Sequence, residues 1–129
     1  MTPLTEFLEL MLETAEQNCD LDNHISTKEL PAKGGIYAEL GSGSTDRTYY
    51  DKSTVKTITV LFLCRAADQQ RCLEQLSSIC EYFQRLKEYP QGTYFAWLDS
   101  EIAKEPSKIG RDEDGVWHYS CILNNKIYY

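Results

Sequence analysis

The stretch Thr54–Arg65, TVKTITVLFLCR, decides the fold. On an extended chain successive side chains alternate, so Val55, Thr57, Thr59, Leu61 and Leu63 point one way and Ile58, Val60, Phe62 and Cys64 the other. β-branched residues dominate, as a pleated surface favours. Both sets turn apolar in the C-terminal half. The reading is a central strand with cover on at least part of both faces.

Downstream, Asp68 can cap a helix in which Cys72, Leu73, Leu76, Ile79, Cys80, Phe83 and Leu86 form an apolar stripe. Arg71, Glu74, Glu81 and Lys87 fall largely outside the stripe. The helix is expected to run about 20 residues, about 30 Å, until Pro90-Gln91-Gly92 stops it. It is the main lid over the sheet. Thr93 to Glu105 reads as a strand, aromatic at its start (Tyr94, Phe95, Trp97). Pro106 to Gly115 reads as a hairpin connection whose Asp114-Gly115 ending is a turn signal. Val116 to Tyr129 is the last strand, with Trp117, Tyr119, Cys121 and Leu123 on one face.

Upstream, Thr2-Pro3 reads as an N-cap with proline in the first turn. Leu4, Phe7, Leu8, Met11 and Ala15 follow at helical spacing, and the helix fades near Asn18. Asp20 to Gly34 is a polar connection, and Gly35 to Leu40 a short strand. Gly41-Ser42-Gly43-Ser44-Thr45-Asp46 is rich in turn formers and reads as a flexible tip. The expected order is α-β-β-α-β-β. This is an α/β (α+β) fold, a mostly antiparallel sheet covered by a long amphipathic helix, in a single domain spanning 1–129.

The 129 residues suit one domain, and 42% hydrophobic with 26% charged residues is ordinary for a folded soluble chain. The formal net charge is -7, and no basic stripe interrupts it. Binding to a phosphate backbone draws on clustered Lys and Arg, so sequence-specific nucleic-acid binding is not expected. Leu4 to Leu12 is interrupted by Glu6 and Glu9 and lacks a basic flank, so it reads as neither a signal sequence nor a membrane span.

Chemistry finds little footing. Cys19, Cys64, Cys72, Cys80 and Cys121 are odd in number, and three of them fall on faces read as buried. They suit free thiols in a reducing compartment. There is no C-x-x-C, and Cys19 with His24 is the closest approach to a metal pair; His118 is the second imidazole, far away in sequence. Asp20, Asp22 and Asn23 lack the glycine and glutamate of a calcium loop. Asp112-Glu113-Asp114 reads as a solvated turn rather than a cation site. No G-x-S-x-G occurs, and the glycines at 41 and 43 lack the lysine and helix of a phosphate loop. No catalytic residue, metal or cofactor is assigned, and the chain is not read as an enzyme.

The tyrosines stand out, 9 in all, with Tyr49-Tyr50 beside the flexible loop and Tyr128-Tyr129 at the end. Large, stiff, half-polar rings are enriched at protein interfaces. Arg47, Tyr49, Tyr50, Tyr128 and Tyr129 are therefore the candidate assembly interface.

The run Thr57 to Leu63, then Asp68-Gln69-Gln70, then Leu76 to Phe83, resembles the strand and helix of the phage minor capsid proteins. So does Ile102 to Tyr119, with Pro106, Gly110, Gly115 and Tyr119 as structural marks. These proteins are similar in layout to the tail terminator (tail-completion) proteins of tailed phages and prophages. The order of elements matches over 1–129, and the match is specific from about residue 55 onward.

The resemblance implies a virion structural protein at the head–tail joint, assembled in the bacterial host cytoplasm. It implies subunits closing into a ring, commonly a hexamer, that caps the tail tube and meets the head connector. Segment 41–53 would then be an arm reaching a neighbour. An acidic lumen would let DNA pass without holding it. Two rival readings remain. One is a small ferredoxin-like ligand-binding or regulatory module, which needs a concave pocket with converging polar groups. The other is a nuclease using Asp99, Glu101 and Asp112 or Asp114 around a divalent metal.

Overall fold

In the computed structural model, which describes residues 2–22, 24–28, 34–41, 43–111, 113 and 115–129, the central strand is β4, Thr54–Ala66. Before it come α1 (Pro3–Asn18), β1 (Ile25–Ser26), β2 (Gly35–Leu40) and β3 (Ser44–Thr48). After it come α2 (Gln69–Arg85), β5 (Ala96–Arg111) and β6 (Trp117–Tyr128). Among the described residues the sheet runs β1-β2-β4-β6-β5, with β3 also paired to β4. Among the described residues only β1 with β2 is parallel.

The order therefore departs from α-β-β-α-β-β by two added strands. Ile25 and Ser26, inside the expected connection, pair with Ile36 and Tyr37. Ser44–Thr48, expected as part of a loop, pairs with β4 below β2. β2 and β3 act as two halves of one long antiparallel neighbour of β4, with Gly41 N donating to Thr59 O at 2.8 Å between them. The hairpin tip is accordingly Tyr49–Ser53, not the glycine segment.

Burial on β4 is complete on one face and partial on the other. Ile58, Val60, Phe62 and Cys64 are buried, whereas Leu61 and Leu63 on the other face are half-buried. Core residues of both helices join the first set: Phe7, Met11, Leu12 and Ala15 from α1, and Cys72, Leu76, Ile79, Cys80 and Phe83 from α2. Trp97 is the hub. Phe7 meets it edge-on at 5.0 Å, and Phe83 and Tyr89 lie tilted against it at 5.4 and 5.1 Å.

Helix α1 starts as its sequence dictates. Thr2 Oγ1 accepts from Thr5 N, and Thr5 Oγ1 accepts from Thr2 N, a reciprocal cap ahead of Pro3. In α2, Asp68 Oδ1 accepts from Gln70 N at 3.0 Å. The helix spans 17 residues, shorter than expected, because the chain turns extended at Leu86. Tyr89 donates its hydroxyl to Phe83 O at 2.7 Å, satisfying a last-turn carbonyl that more helix would have paired. Leu73 lies outside the stripe and is exposed; Gln75 is buried in its stead. Its Oε1 accepts from Asp22 N at 3.0 Å and its Nε2 donates to Arg71 O at 3.4 Å.

Strand β5 begins later and ends later than expected. Gln91 supplies the outer partner of Trp97, accepting from its N at 3.1 Å and donating to its O at 3.0 Å. Pro106 does not end the strand, because β5 is an edge and an outward-facing proline nitrogen costs no ladder bond. Register shifts fall at four places along it, around Leu98, Ala103, 105–106 and Ile109. Of the expected 106–115 connection, Asp112 and Asp114 lie outside the described residues.

Candidate assembly interface

The antiparallel register brings four of the five candidate residues to one end of the sheet. Val55 pairs with both Arg47 and Tyr128, so β3, β4 and β6 lie side by side there. Arg47 Cζ stands 6.0 Å from the Tyr49 ring centre, and Tyr49 meets Tyr128 edge-on at 5.9 Å. Tyr50 is fully exposed at the apex. Tyr129 departs from the group. It sits beneath Lys56, whose Nζ is 4.8 Å from its ring centre, and lines a 220 Å³ hollow with Leu4, Leu40, Gly41, Gly43, Ser44, Thr45 and Ile58.

The tip is built, not loose. Tyr49 N donates to Ser53 O at 2.8 Å and Lys52 N to Tyr49 O at 3.0 Å. Lys52 takes a left-handed φ of 74°, the place a three-residue hairpin loop reserves for glycine. Asp51 Oδ1 accepts from Ser53 N and Ser53 Oγ, and these bonds hold its carboxyl below the usual carboxylate range. Tyr129 pins the strand beneath, accepting from Thr54 N at 2.6 Å and donating its own N to Thr54 O at 3.0 Å. Asp51 bonds locally, to Ser53 two residues on, whereas the contact of Ser53 with Tyr128 depends on the register that brings the last strand alongside.

Candidate chemical groups stay apart. Asp99 and Glu101 are exposed on the edge strand, while Asp112 and Asp114 are outside the described residues. His24 Nδ1 lies 3.2 Å from Glu16 Oε2 on the surface, and Cys19 Sγ donates to Ser78 O at 3.7 Å. Asp22, one of the calcium-loop candidates, is held by Arg71 through Nε and Nη2 at 2.7 to 3.1 Å, which pulls its carboxyl below its ordinary range. Among the described residues no group of three or more His, Cys, Asp or Glu side chains gathers as ligands for a metal ion.

Four thiols are buried, one more than expected, and join α2 to the sheet. Cys64 on β4 meets Cys72, and Cys121 on β6 meets Cys80. Burial pushes Cys64 and Cys72 well up; for Cys121 the contact with Cys80 leads and burial adds to it. Thiols this reluctant to ionise are poor nucleophiles and ligands. Among the described residues no helix is long and apolar enough to cross a membrane.

A family model described as bacteriophage tail terminator protein matches residues 15–129. No curated protein matches the chain. The match covers most of the sequence, and the chain belongs to the tail terminator family of bacteriophages. That family has a structural, tail-associated role in the phage.

Proposed function

We propose, from membership of the tail terminator family, that this chain is the virion subunit that closes into a ring at the head–tail joint. The ring, a hexamer in this reading, caps the tail tube on one side and meets the head connector on the other. It assembles in the host cytoplasm before the virion is released. The tyrosine pole is the assembly surface.

One observation carries this reading. Tyr50 is fully exposed at the apex of a hairpin held by hydrogen bonds among Tyr49, Asp51, Lys52 and Ser53, with Tyr128 bonding the Ser53 hydroxyl. An isolated molecule gains nothing from holding an aromatic ring in water, whereas a preorganised aromatic is what an interface rewards. The acidic balance fits a lumen through which DNA slides.

Electron microscopy and light scattering of the purified chain, alone and with tail tubes, test the proposal. Rings of uniform diameter at tube ends are the expected result. Tubes that stay uncapped, with the chain monomeric throughout, would overturn it. Tyr50→Ala is expected to fold normally and to lose capping.

A further inference from the structure

We propose that β3 is a docking edge for β3 of a second copy, each hairpin tip seating in the hollow beside the other's glycines. The inference rests on the reading above that the tyrosine pole is an assembly surface, and names a partner for it.

The sheet's edges are not treated alike. Along β5, Gln91 occupies the outer side of Trp97, four register shifts interrupt the strand and Pro106 removes a donor. Each device discourages another strand from pairing there. β1 covers the outer side of β2 at Ile36 and Tyr37. Among the described residues nothing pairs with the outer side of β3, and all five of its residues are exposed. Its own interruption is the single register shift between Thr45 and Arg47, against four along β5.

The sequence of β3, Ser44-Thr45-Asp46-Arg47-Thr48, is complementary to itself when reversed. Neighbours on a regular strand face opposite ways, but the register shift between Thr45 and Arg47 breaks that alternation at Asp46, so antiparallel pairing about a two-fold axis between Asp46 and Arg47 sets each Asp46 beside Arg47 of the second copy. It sets each Thr45 beside Thr48 of the second copy. Opposite charges and threonine pairs are the combinations that stabilise neighbouring strands. A two-fold contact repeats each pair, so both charges of both chains are matched.

The same register brings Tyr50 of one copy beside Gly43 of the other. Gly43, with Gly41, Ser44 and Thr45, lines the 220 Å³ hollow that Leu4, Ile58, Tyr129 and Lys56 also line. A fully exposed ring and a hollow with Leu4, Ile58 and Tyr129 in its lining thus meet twice across one axis. The β5 edge, being guarded, could not receive β3 head to tail, so this contact joins subunits in pairs. It would link two rings, or hold free subunits before ring closure.

Sedimentation of the full-length chain over a wide concentration range, with tube capping scored in parallel by electron microscopy, tests this. A reversible monomer–dimer equilibrium is expected. Tyr50→Ala and Arg47→Asp should each weaken it by about tenfold or more. The chain carrying both Asp46→Arg and Arg47→Asp should dimerise again, because each copy then supplies both reversed charges; circular dichroism confirms that the variants fold. A dimer indifferent to Arg47→Asp, or not restored by the double exchange, overturns the pairing. Tube capping by a chain that never dimerises overturns it too, while leaving the proposed function standing. Absence of both dimers and capping removes the two together.

Discussion

Tyr128 donates its phenolic hydroxyl to Ser53 Oγ at 2.8 Å, and Ser53 Oγ donates onward to Asp51 Oδ1 at 2.6 Å. The last strand thereby steadies the turn between β3 and β4, 75 residues away in sequence. Tyr128→Phe keeps the ring against Tyr49 and deletes only the donor. Because the site is exposed, water replaces part of the lost bond, and the cost should be at most about 1 kcal/mol. The local effect should be larger than the global one. Faster amide exchange at Lys52 and Ser53, with a melting midpoint lowered by a few degrees at most, is the expected pattern, and equal exchange in both proteins would show that the relay does not order the tip.

Trp97 should be the costliest single residue to lose. It is 2% exposed and touches Phe7, Phe83 and Tyr89, so it ties α1, α2 and the loop after α2 to β5. Trp97→Ala removes those contacts and leaves a cavity that three separate elements cannot collapse into, costing about 3–5 kcal/mol. Leu73→Ala, on the exposed side of α2, should cost under about 0.5 kcal/mol. Urea titration of the two variants gives the comparison; similar losses would mean that α2 is rotated from the orientation described.

The thiols set an alkaline limit. Burial raises the pKa of Cys64 and of Cys72, and the contact with Cys80 followed by burial raises that of Cys121, so the folded state holds protons that the unfolded chain releases. The stability from keeping them protonated is complete below the unfolded thiol value of about 8.5 and is lost as pH rises beyond it. Unfolding free energy should therefore fall between neutral pH and pH 10 or so, and less steeply in Cys64→Val than in the parent. A thiol reagent at neutral pH should label the folded protein slowly, with half-buried Cys19 first. Rapid labelling of all five cysteines in the folded chain would contradict the packing.

Much of the fold was legible wherever one physical signal ruled. β4 alternates strictly, and α2 has a cap and a stripe, so both were readable from the residues alone. β3 was not, because Ser44–Thr48 has no apolar alternation; it is a strand because β4 offers an open ladder beside it. The continuation of β5 past Pro106 was hidden for a related reason. Proline forbids a central strand and tolerates an edge, and only the assembled sheet shows which β5 is. Composition pointed to the tyrosines, yet it could not separate Tyr129, which turns toward Lys56, from Tyr128, which turns toward Tyr49.

Asn125 sits fully buried on the helix-side face of β6, opposite Ser100 of β5. Its Nδ2 reaches Ile58 O and Leu123 O at 3.3 and 3.4 Å, while Asn125 Oδ1 and Ser100 Oγ have no hydrogen-bond partner. Turning the amide over would aim the oxygen at those two carbonyls, so the orientation is the better of two poor ones. Asn125→Leu exchanges weak bonds for apolar contact and should be neutral or stabilising. Asn125→Asp places a carboxyl in the same enclosure, where burial raises its pKa above the unfolded value of about 3.9. A raised acid contributes most below the unfolded value and loses that contribution as pH climbs through the folded one. The penalty of Asn125→Asp relative to the parent should thus be small at pH 4 and several kcal/mol at pH 7 or so. Denaturant titrations of all three proteins at both pH values decide it, and a penalty independent of pH would mean that water reaches the site.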